Sequence, residues 1–305
     1  MRKTILITGG SGLIGKPLTR MLLQKGYTVH LLSRNPEHHG NPRIHVFKWD
    51  VDKGEVDENC LSGVEIIIHL AGEGIADKRW TDQRKQQIIR SRTDSIALIY
   101  RLLRELPDHS VKTIISASAI GFYGDRGNEE LTEASEAGNG FLPAACIEWE
   151  KTVDEGEKLE LRVVKLRTGI VLTNEGGALP EMAGPVKKGF GSPLGSGEQW
   201  MSWIHIHDVI RIYMFALENE KIHGVYNMTA PQPVTNSEMT QSLGLIFNKK
   251  LWLPNVPAFG LRLILGELSD LLLDSAKVSS SRIEAAGFSF DYPDLSHALR
   301  NIYID

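Results

Sequence analysis

The chain has 305 residues, of which 42% are hydrophobic and 24% are charged. This balance is typical of a folded protein of about two domains, and it excludes a disordered chain, a collagen-like repeat and a small disulfide-stapled fold. A net charge of −4 indicates no broad basic surface, so we expect a small-molecule substrate and neither nucleic acid nor membrane as partners. Two cysteines, Cys60 and Cys146, no apolar run of about 18 residues and no apolar signal segment predict a cytoplasmic protein.

Short apolar runs alternate with longer amphipathic segments in the first half of the sequence, which is the pattern of parallel strands joined by helices. The runs predicted as strands are Thr4–Thr8, Thr28–Ser33, Ile44–Phe47, Glu65–Leu70, Thr113–Ser118 and Arg162–Leu166. The segments predicted as helices are Leu13–Lys25, Asp82–Leu106 and Phe141–Lys158. Repeated units of this kind wind into a doubly wound parallel sheet, so we predict an α/β fold of Rossmann type with ligands at the carboxyl ends of the strands.

The second half of the sequence loses this alternation after about residue 172. Glycine and proline crowd residues 175–197, which predicts a long loop or lid. Trp203–Ile206 is predicted as a strand, and Asp208 is predicted to cap a helix that runs to Leu217. The remaining tail is predicted to be mixed α/β, with an amphipathic stretch at Phe259–Leu273. We expect one domain over residues 1–172, to which 204–229 returns, and a smaller α/β substrate domain with a lid over 173–203 and 230–305.

A glycine-rich turn, TGGSGLIG over residues 8–15, lies between the first predicted strand and the first predicted helix. Glycine permits a tight turn and lets the backbone approach a pyrophosphate, while the helix N-terminus offers free amide groups to the anion. Because strand, turn and helix agree, the turn predicts a dinucleotide site rather than a plain turn. The candidate cofactor contacts in it are Gly9, Ser11, Gly12, Leu13, Ile14 and Gly15.

The end of the second predicted strand favours one form of that dinucleotide. An acidic residue there would bind the ribose 2′-hydroxyl of NAD, but this strand ends in Ser33 and Arg34. A guanidinium forms a charge-assisted pair with a 2′-phosphate, so NADP(H) is preferred over NAD(H). The alternative is a solvated arginine that starts a loop.

The sequence resembles the extended short-chain dehydrogenase/reductase superfamily of NAD-dependent epimerases and dehydratases, and within it the atypical "epimerase family protein" branch with its own C-terminal domain. Besides the glycine turn, the resemblance is carried by WD at 49–50, HLAGE at 69–73, SASAIGFYG at 116–124 and SWIHIHD at 202–208, and it covers nearly the whole chain. The resemblance implies contacts to cofactor or substrate from Asp50 (adenine), Leu70, Ala71, Gly72 and Glu73 (cofactor backbone), Ser116 to Ser118 (nicotinamide) and Arg167. For Arg167 the alternative is a salt-bridged strand end.

The sequence departs from the superfamily pattern at the catalytic dyad. Typical members carry a tyrosine about 25 residues beyond the strand-end serine and a lysine four positions later, which lowers the pKa of the tyrosine. The position 25 residues beyond Ser118 is Pro143, which lies in a segment without tyrosine or lysine. In addition, Arg92 replaces the usual asparagine of the preceding helix. Ser118 is therefore the candidate catalytic contact, with Tyr123 either a substitute acid or a structural residue.

Other polar residues of the second half are weaker candidates. Gln199 and Trp203 are predicted to contact the substrate, with core packing as the alternative. His205 and His207 are interpreted as structural rather than metal-binding. Together these features predict an NADP(H)-binding oxidoreductase or epimerase acting on a small hydroxyl or carbonyl substrate, or alternatively a sensor that binds NADP(H) without catalysis. The superfamily often dimerises through its two long helices, so a homodimer is an expected assembly.

Overall fold

The apolar runs of the sequence form strands that are buried on both faces. Ile5, Leu6 and Ile7 of the first run are all completely buried in the computed structural model, which describes residues 3–37 and 39–304. Successive side chains of a strand point to opposite faces, so an uninterrupted apolar run requires a covering layer on each side of the sheet. Helices supply both layers.

The strands of the described residues group around one large sheet. They are, in chain order, Thr4–Thr8 (β1), Thr28–Ser33 (β2), Ile44–Asp50 (β3), Glu55–Val56 (β4), Val64–His69 (β5), Thr113–Ala119 (β6), Glu130–Leu131 (β7), Arg162–Thr168 (β8), Ile170–Leu172 (β9), Trp200–Met201 (β10), Trp203–His205 (β11), Gly224–Met228 (β12), Val234–Thr235 (β13) and Lys277–Val278 (β14). The large sheet has the order β12-β8-β6-β5-β1-β2-β3-β4, and only the β3–β4 pair is antiparallel. This confirms the predicted Rossmann-type α/β fold, in which the strand order reverses between β1 and β5.

Helices cover the sheet on both faces. They are, in chain order, Gly15–Gln24 (α1), Asp82–Glu105 (α2), Phe141–Asp154 (α3), Ala178–Lys187 (α4), Ile206–Glu218 (α5), Asn236–Ile246 (α6), Ala258–Leu265 (α7), Asp270–Leu273 (α8), Ser281–Ala285 (α9) and Leu295–Tyr303 (α10). Leu18 of α1 and Ile212 of α5 belong to the core on one face, while Ile99 of α2 and Trp149 of α3 belong to the core on the other. Within the described ranges, no helix is both long enough and apolar enough to cross a membrane.

The segment predicted as a loop over residues 175–197 contains α4, so that prediction was wrong for its middle part. Leu179, Ala183 and Val186 recur at helical spacing and are buried in a core with Leu243 of α6. This burial offsets the low helix propensity of the glycine and prolines in the segment, including Pro185 inside α4. The glycine and proline content of this segment therefore predicted a loop where an amphipathic helix forms.

The residues that the structure describes after β12 are mainly helical, and β13 and β14 are strands of two residues each. The predicted amphipathic stretch Phe259–Leu273 is divided into α7, a short 3-10 turn and α8. The break comes at Gly266, whose φ of 62° is a conformation that glycine adopts more easily than other residues. β12 lies in residues 204–229 and pairs in parallel with β8, at one edge of the large sheet.

Candidate functional site

The turn between β1 and α1 has room for glycine alone at two of its positions. Gly9 has a φ of 68°, and a Cβ atom there would lie 2.7 Å from the carbonyl oxygen of Leu70. A Cβ atom on Gly15 would lie 2.2 Å from the carbonyl oxygen of Gly9, which is rigid backbone. At Gly12 the corresponding distance to the same oxygen is 3.2 Å. The absence of side chains therefore brings α1, the turn and the end of β5 into close approach.

The N-terminus of α1 is open to an anion. Its N-cap residue, Ile14, has no side chain that accepts a hydrogen bond from the first turn, and the first turn carries no acidic residue. Among the described residues, none accepts a hydrogen bond from the backbone N–H groups of Leu13 and Ile14. Free amides at the positive end of a helix dipole suit a phosphate group, and they lie where the strand order reverses. The turn thus fits the pyrophosphate of a dinucleotide.

The candidate contacts to the adenosine half lie at the ends of β2 and β3. Arg34 is exposed, and its side chain has no hydrogen bond or ion pair with the described residues. The Ser33 hydroxyl donates to the carbonyl oxygen of Asn35 at 3.0 Å, which shapes the turn after β2. Asp50 accepts from the backbone N–H of Lys53 at 3.2 Å. The guanidinium of Arg34 is thus free to meet a ligand, while Ser33 and Asp50 also shape local turns.

The segment after β5 is held against β1 by one hydroxyl. The Oγ1 atom of Thr8 accepts from the backbone N–H of Leu70 at 3.1 Å and from that of Ala71 at 3.0 Å. Glu73 is turned toward α2, because its carboxylate pairs with Arg84 and accepts from Gln87. The backbone of this segment is therefore fixed beside the glycine turn, but the Glu73 side chain is already engaged.

Gly72 is close to a buried cation on α2. A Cβ atom on Gly72 would lie 3.1 Å from the guanidinium carbon of Arg92. Arg92 donates to the carbonyl oxygen of Glu73 at 3.0 Å and stacks over the ring of Trp149 at 5.1 Å. Arg92 thus braces the segment after β5 from the helix where typical members of the superfamily carry asparagine.

Ser116, which the resemblance places at the nicotinamide, has a side chain that is engaged within the protein. Its hydroxyl is completely buried, lies 3.2 Å from Nδ1 of His69 and donates to the carbonyl oxygen of Ala117 at 2.9 Å. On its other side, Nε2 of His69 lies 2.8 Å from the hydroxyl of Ser95. Burial lowers the pKa of His69 to about 3, so the ring is neutral and bridges β6 to α2. The alternation of side chains along β6 does not show that His69 of β5 is the neighbour of Ser116.

A buried polar network begins at Ser118, the last serine of β6. Its hydroxyl donates to Oε1 of Glu150 on α3 at 2.6 Å. Glu150 in turn accepts two bonds of 2.8 Å from Arg167 at the end of β8, one on each carboxylate oxygen. The guanidinium carbon of Arg167 lies 3.4 Å from the ring centroid of Phe122. Sequence reasoning missed Glu150, although a charged residue among Cys146, Trp149 and Val153 on the buried stripe of α3 was a usable signal.

Tyr123, which the sequence left open as a substitute acid or a structural residue, lies at the far end of this network. Its side chain is completely buried, and its hydroxyl accepts from Arg167 at 3.0 Å and donates to Oδ1 of Asn227 at 2.7 Å. Burial raises the pKa of Tyr123 despite the nearby guanidinium. A hydroxyl with both roles satisfied and no path to solvent is structural.

The thiol of Cys146 lies beside the same network. Burial and then the neighbouring Glu150 carboxylate raise its pKa to about 12, so it stays protonated. Pro143, at the position counted for the dyad tyrosine, is buried in the first turn of α3. Ser118, Glu150 and Arg167 are therefore the polar groups that the structure brings together between α3 and the carboxyl ends of β6 and β8.

Trp203 and Gln199, the predicted substrate contacts, are both buried and hydrogen-bonded within the protein. Trp203 is completely buried in a core with Leu179 and Met239, and its indole N–H donates to the carbonyl oxygen of Gln232 at 2.9 Å. The amide of Gln199 is 6% exposed and donates to two backbone carbonyl oxygens, those of residues 194 and 272. Core packing, the alternative interpretation, holds for Trp203, and Gln199 links the loop after α4 to the C-terminal part.

The residues after β11 correct the predicted helix cap, because Asp208 does not cap α5. The N-cap residue is His205, whose Nδ1 accepts from the backbone N–H of His207 at 3.1 Å. Asp208 lies within the first turn, completely buried, and accepts from the backbone N–H groups of Asp291 and Tyr292 at 3.0 and 2.9 Å. In the part of the chain that the structure describes, no three His, Cys, Asp or Glu side chains are grouped to hold a metal ion. Asp208 therefore fastens the C-terminal segment to α5.

Comparison with known proteins assigns the chain to a family. The model of the NAD dependent epimerase/dehydratase family matches residues 5–229, and a domain of unknown function, DUF1731, matches residues 256–302. Epimerase family protein YfhF of Bacillus subtilis is 35% identical over 99% of this chain and 98% of its own length.

Two solved structures have the same fold throughout. The human epimerase family protein SDR39U1, crystallised with NADPH, aligns over 98% of this chain and 99% of its own with 30% identity and a TM-score of 0.84. A nucleoside-diphosphate sugar epimerase from Corynebacterium glutamicum aligns over 99% of this chain, but only 58% of its own, with 32% identity and a TM-score of 0.81. With a nucleotide-binding turn at the reversal of a Rossmann sheet and these matches along its length, the chain belongs to the NAD dependent epimerase/dehydratase family.

Proposed function

We propose that this protein is an NADP(H)-dependent oxidoreductase or epimerase of the short-chain dehydrogenase/reductase type, acting on a small substrate that carries a hydroxyl or carbonyl group. The observation that carries the proposal is the glycine turn, where Gly9 and Gly15 leave no space for a Cβ atom beside an uncapped helix N-terminus. When bound, the nicotinamide would accept or donate hydride. The chain's own residues would bind the cofactor, orient the substrate and exclude water.

The preference for NADP(H) over NAD(H) rests on Arg34. Its exposed guanidinium, without a partner among the described residues, stands at the end of β2, where NAD-binding proteins of this fold carry an acidic residue. A 2′-phosphate would supply the missing partner through charge-assisted hydrogen bonds. The NADPH in the crystal structure of human SDR39U1 supports the same preference.

Ser118 is the proposed substrate contact, at the carboxyl end of β6. It is 3% exposed and borders a polar network rather than the apolar core. The dyad tyrosine of typical members has no counterpart at Pro143, and Tyr123 is committed to Arg167 and Asn227. In this proposal a bound water carries the proton that the dyad tyrosine carries elsewhere.

A fluorescence titration with NADPH and NADH tests the cofactor assignment. We expect NADPH to bind at least tenfold more tightly, and Arg34→Ala to erase that difference, about 1.4 kcal/mol for each factor of ten. Arg43→Ala is the matched control, because Arg43 precedes β3 at the amino end of the strands, whereas Arg34 follows β2 at their carboxyl end. Equal binding of the two nucleotides, or loss of preference in both variants, would remove Arg34 as the determinant. If neither nucleotide binds, the proposed function fails.

A second candidate is a protein that binds NADP(H) without catalysis and reports its redox state to a partner. The commitment of Tyr123 within a buried network favours it, since that hydroxyl cannot serve a substrate. A sensor must bind the oxidised and reduced forms with different affinity. Equal dissociation constants for NADP⁺ and NADPH, together with no partner recovered by affinity purification, would exclude it.

A further inference from the structure

The network around Arg167 has a fixed direction, because an arginine donates hydrogen bonds and cannot accept them. Its Nε and one terminal nitrogen donate to the two oxygens of Glu150, and its other terminal nitrogen donates to the hydroxyl of Tyr123. Glu150 is 6% exposed, and both oxygens of its carboxylate accept from this bidentate guanidinium. A carboxylate that accepts at both oxygens offers no proton of its own to Ser118.

The other end of the network agrees with that direction. The hydroxyl of Tyr123 accepts from Arg167, so its own proton goes to Oδ1 of Asn227 at 2.7 Å. The amide orientation of Asn227 is fixed, because its Nδ2 donates to the carbonyl oxygen of Ser279 at 3.1 Å. Each hydrogen bond between Asn227 and Glu150 therefore has one possible donor. None of these donors gives a proton to Ser118.

These directions determine how the hydroxyl of Ser118 forms hydrogen bonds. Its Oγ lies 2.6 Å from Oε1 of Glu150, a short distance typical of a hydroxyl that donates to a carboxylate. A serine hydroxyl has one proton and two lone pairs. With the proton given to Glu150, the oxygen of Ser118 retains only acceptor capacity toward any ligand.

We propose that Glu150 makes Ser118 an obligate hydrogen-bond acceptor, so that this position of the site takes a ligand hydroxyl and rejects a carbonyl oxygen. The inference rests on the proposed function, in which Ser118 contacts the substrate. Glu150 acts through Ser118 and is a positioning residue that sets specificity. A carbonyl oxygen at Ser118 would face another acceptor without a proton between them, which leaves a buried polar group unsatisfied.

Matched pairs of small alcohols and ketones test this polarity by binding rather than by turnover. The probes are cyclohexanol with cyclohexanone and 2-butanol with 2-butanone, measured by saturation-transfer NMR on protein saturated with NADPH. We expect the alcohol of each pair to bind at least tenfold more tightly to the wild-type protein. Ser118→Ala should abolish the difference between the alcohol and the ketone of each pair.

Glu150→Gln is the decisive variant, because the glutamine amide can donate to Ser118 and release the serine proton toward the ligand. We expect the alcohol preference to fall at least tenfold or to reverse. Asp154→Asn is the matched control: Asp154 lies one turn further along α3 and pairs with Lys165 of β8, without contacting Ser118. This control should keep the wild-type preference.

Three results would overturn the proposal: equal or better binding of the ketones by the wild type, a preference that survives Glu150→Gln, or no binding of either member of any pair. If Glu150→Gln does not fold, as judged by circular dichroism, the comparison of the wild type with Ser118→Ala decides. The NADPH titration is made first. If NADPH does not bind, the alcohol and ketone pairs are measured on protein without nucleotide. Failure of the cofactor assignment is thereby distinguished from failure of the polarity.

Discussion

At the scale of single residues, the absence of a side chain matters as much as its presence. Gly15 allows α1 to begin against the backbone of Gly9 and Gly10, where a Cβ atom would overlap both. Ser118, Glu150 and Arg167 show the opposite case, in which three polar side chains satisfy one another away from solvent. The first arrangement makes a surface for a ligand, and the second fixes how a hydroxyl beside it can hydrogen-bond.

Gly15→Ala is predicted to weaken NADPH binding by at least tenfold, because the turn must open to relieve the contact of 2.2 Å with the carbonyl oxygen of Gly9. Overpacking of this kind also lowers the free energy of unfolding by about 1–3 kcal/mol. Gly184→Ala in α4 is the control, since nothing lies within 4 Å of its Cβ position. Urea denaturation and the fluorescence titration measure both effects. Unchanged NADPH affinity in Gly15→Ala would place the pyrophosphate elsewhere.

At the scale of elements, α7 differs from α6 in how much of its surface is buried. None of its residues is buried, and Phe259, Leu263 and Ile264 are 75%, 80% and 71% exposed. By contrast, α6 buries Met239 and Leu243 against α4. Since burial supplies most of the stability of short helices, α7 contributes little to the core although its sequence is apolar.

Leu263→Ala is therefore predicted to change the free energy of unfolding by less than about 0.5 kcal/mol. Leu243→Ala removes the same atoms from a side chain that is 1% exposed, and it should cost about 2–5 kcal/mol. Urea denaturation of the two variants makes the comparison. A loss above about 2 kcal/mol for Leu263→Ala would mean that α7 packs against another surface in solution.

At the scale of the whole molecule, an acidic cavity lies between the loop after β6 and the C-terminal part. It has a volume of about 470 Å³ and is lined by Asp125, Arg126, Asp270 and Asp274 among others. Burial, followed by the charges of Asp270 and Asp125, raises the pKa of Asp274 to about 6, while Arg262 opposes the shift. Ionised Asp274 thus works against the contact between the two parts.

The pH dependence of stability follows from this raised pKa. The folded protein binds more protons than the unfolded chain between about pH 4 and pH 6, so this group's contribution to the free energy of unfolding falls as pH rises through that range. Asp274→Asn removes the titrating group, and the melting temperature of the variant relative to wild type should therefore rise from pH 4 to pH 7. Glu148→Gln, on the exposed side of α3, is the control. A constant difference between Asp274→Asn and wild type would show that Asp274 titrates normally.

Local pattern determined much of this protein. The apolar runs, the periodicity of α2 and the glycine turn each depend on neighbours along the chain, so the Rossmann-type sheet and its nucleotide-binding turn followed from the sequence. The helix α4 was missed because its stability comes from burial against α6, which composition does not report.

The polar partners of the site were decided only by the tertiary structure. Glu150 meets Ser118 across 32 residues, and Tyr123 meets Asn227 across 104. Trp203 and Ser116 proved to be completely buried, and Asp208 bonds a distant segment instead of capping its own helix. Hydrogen bonds between distant segments depend on how sheets and helices pack, and that packing is not encoded in any short stretch of sequence. The sequence thus located the glycine turn at the end of β1, and the fold determined the hydrogen-bond partner of Ser118.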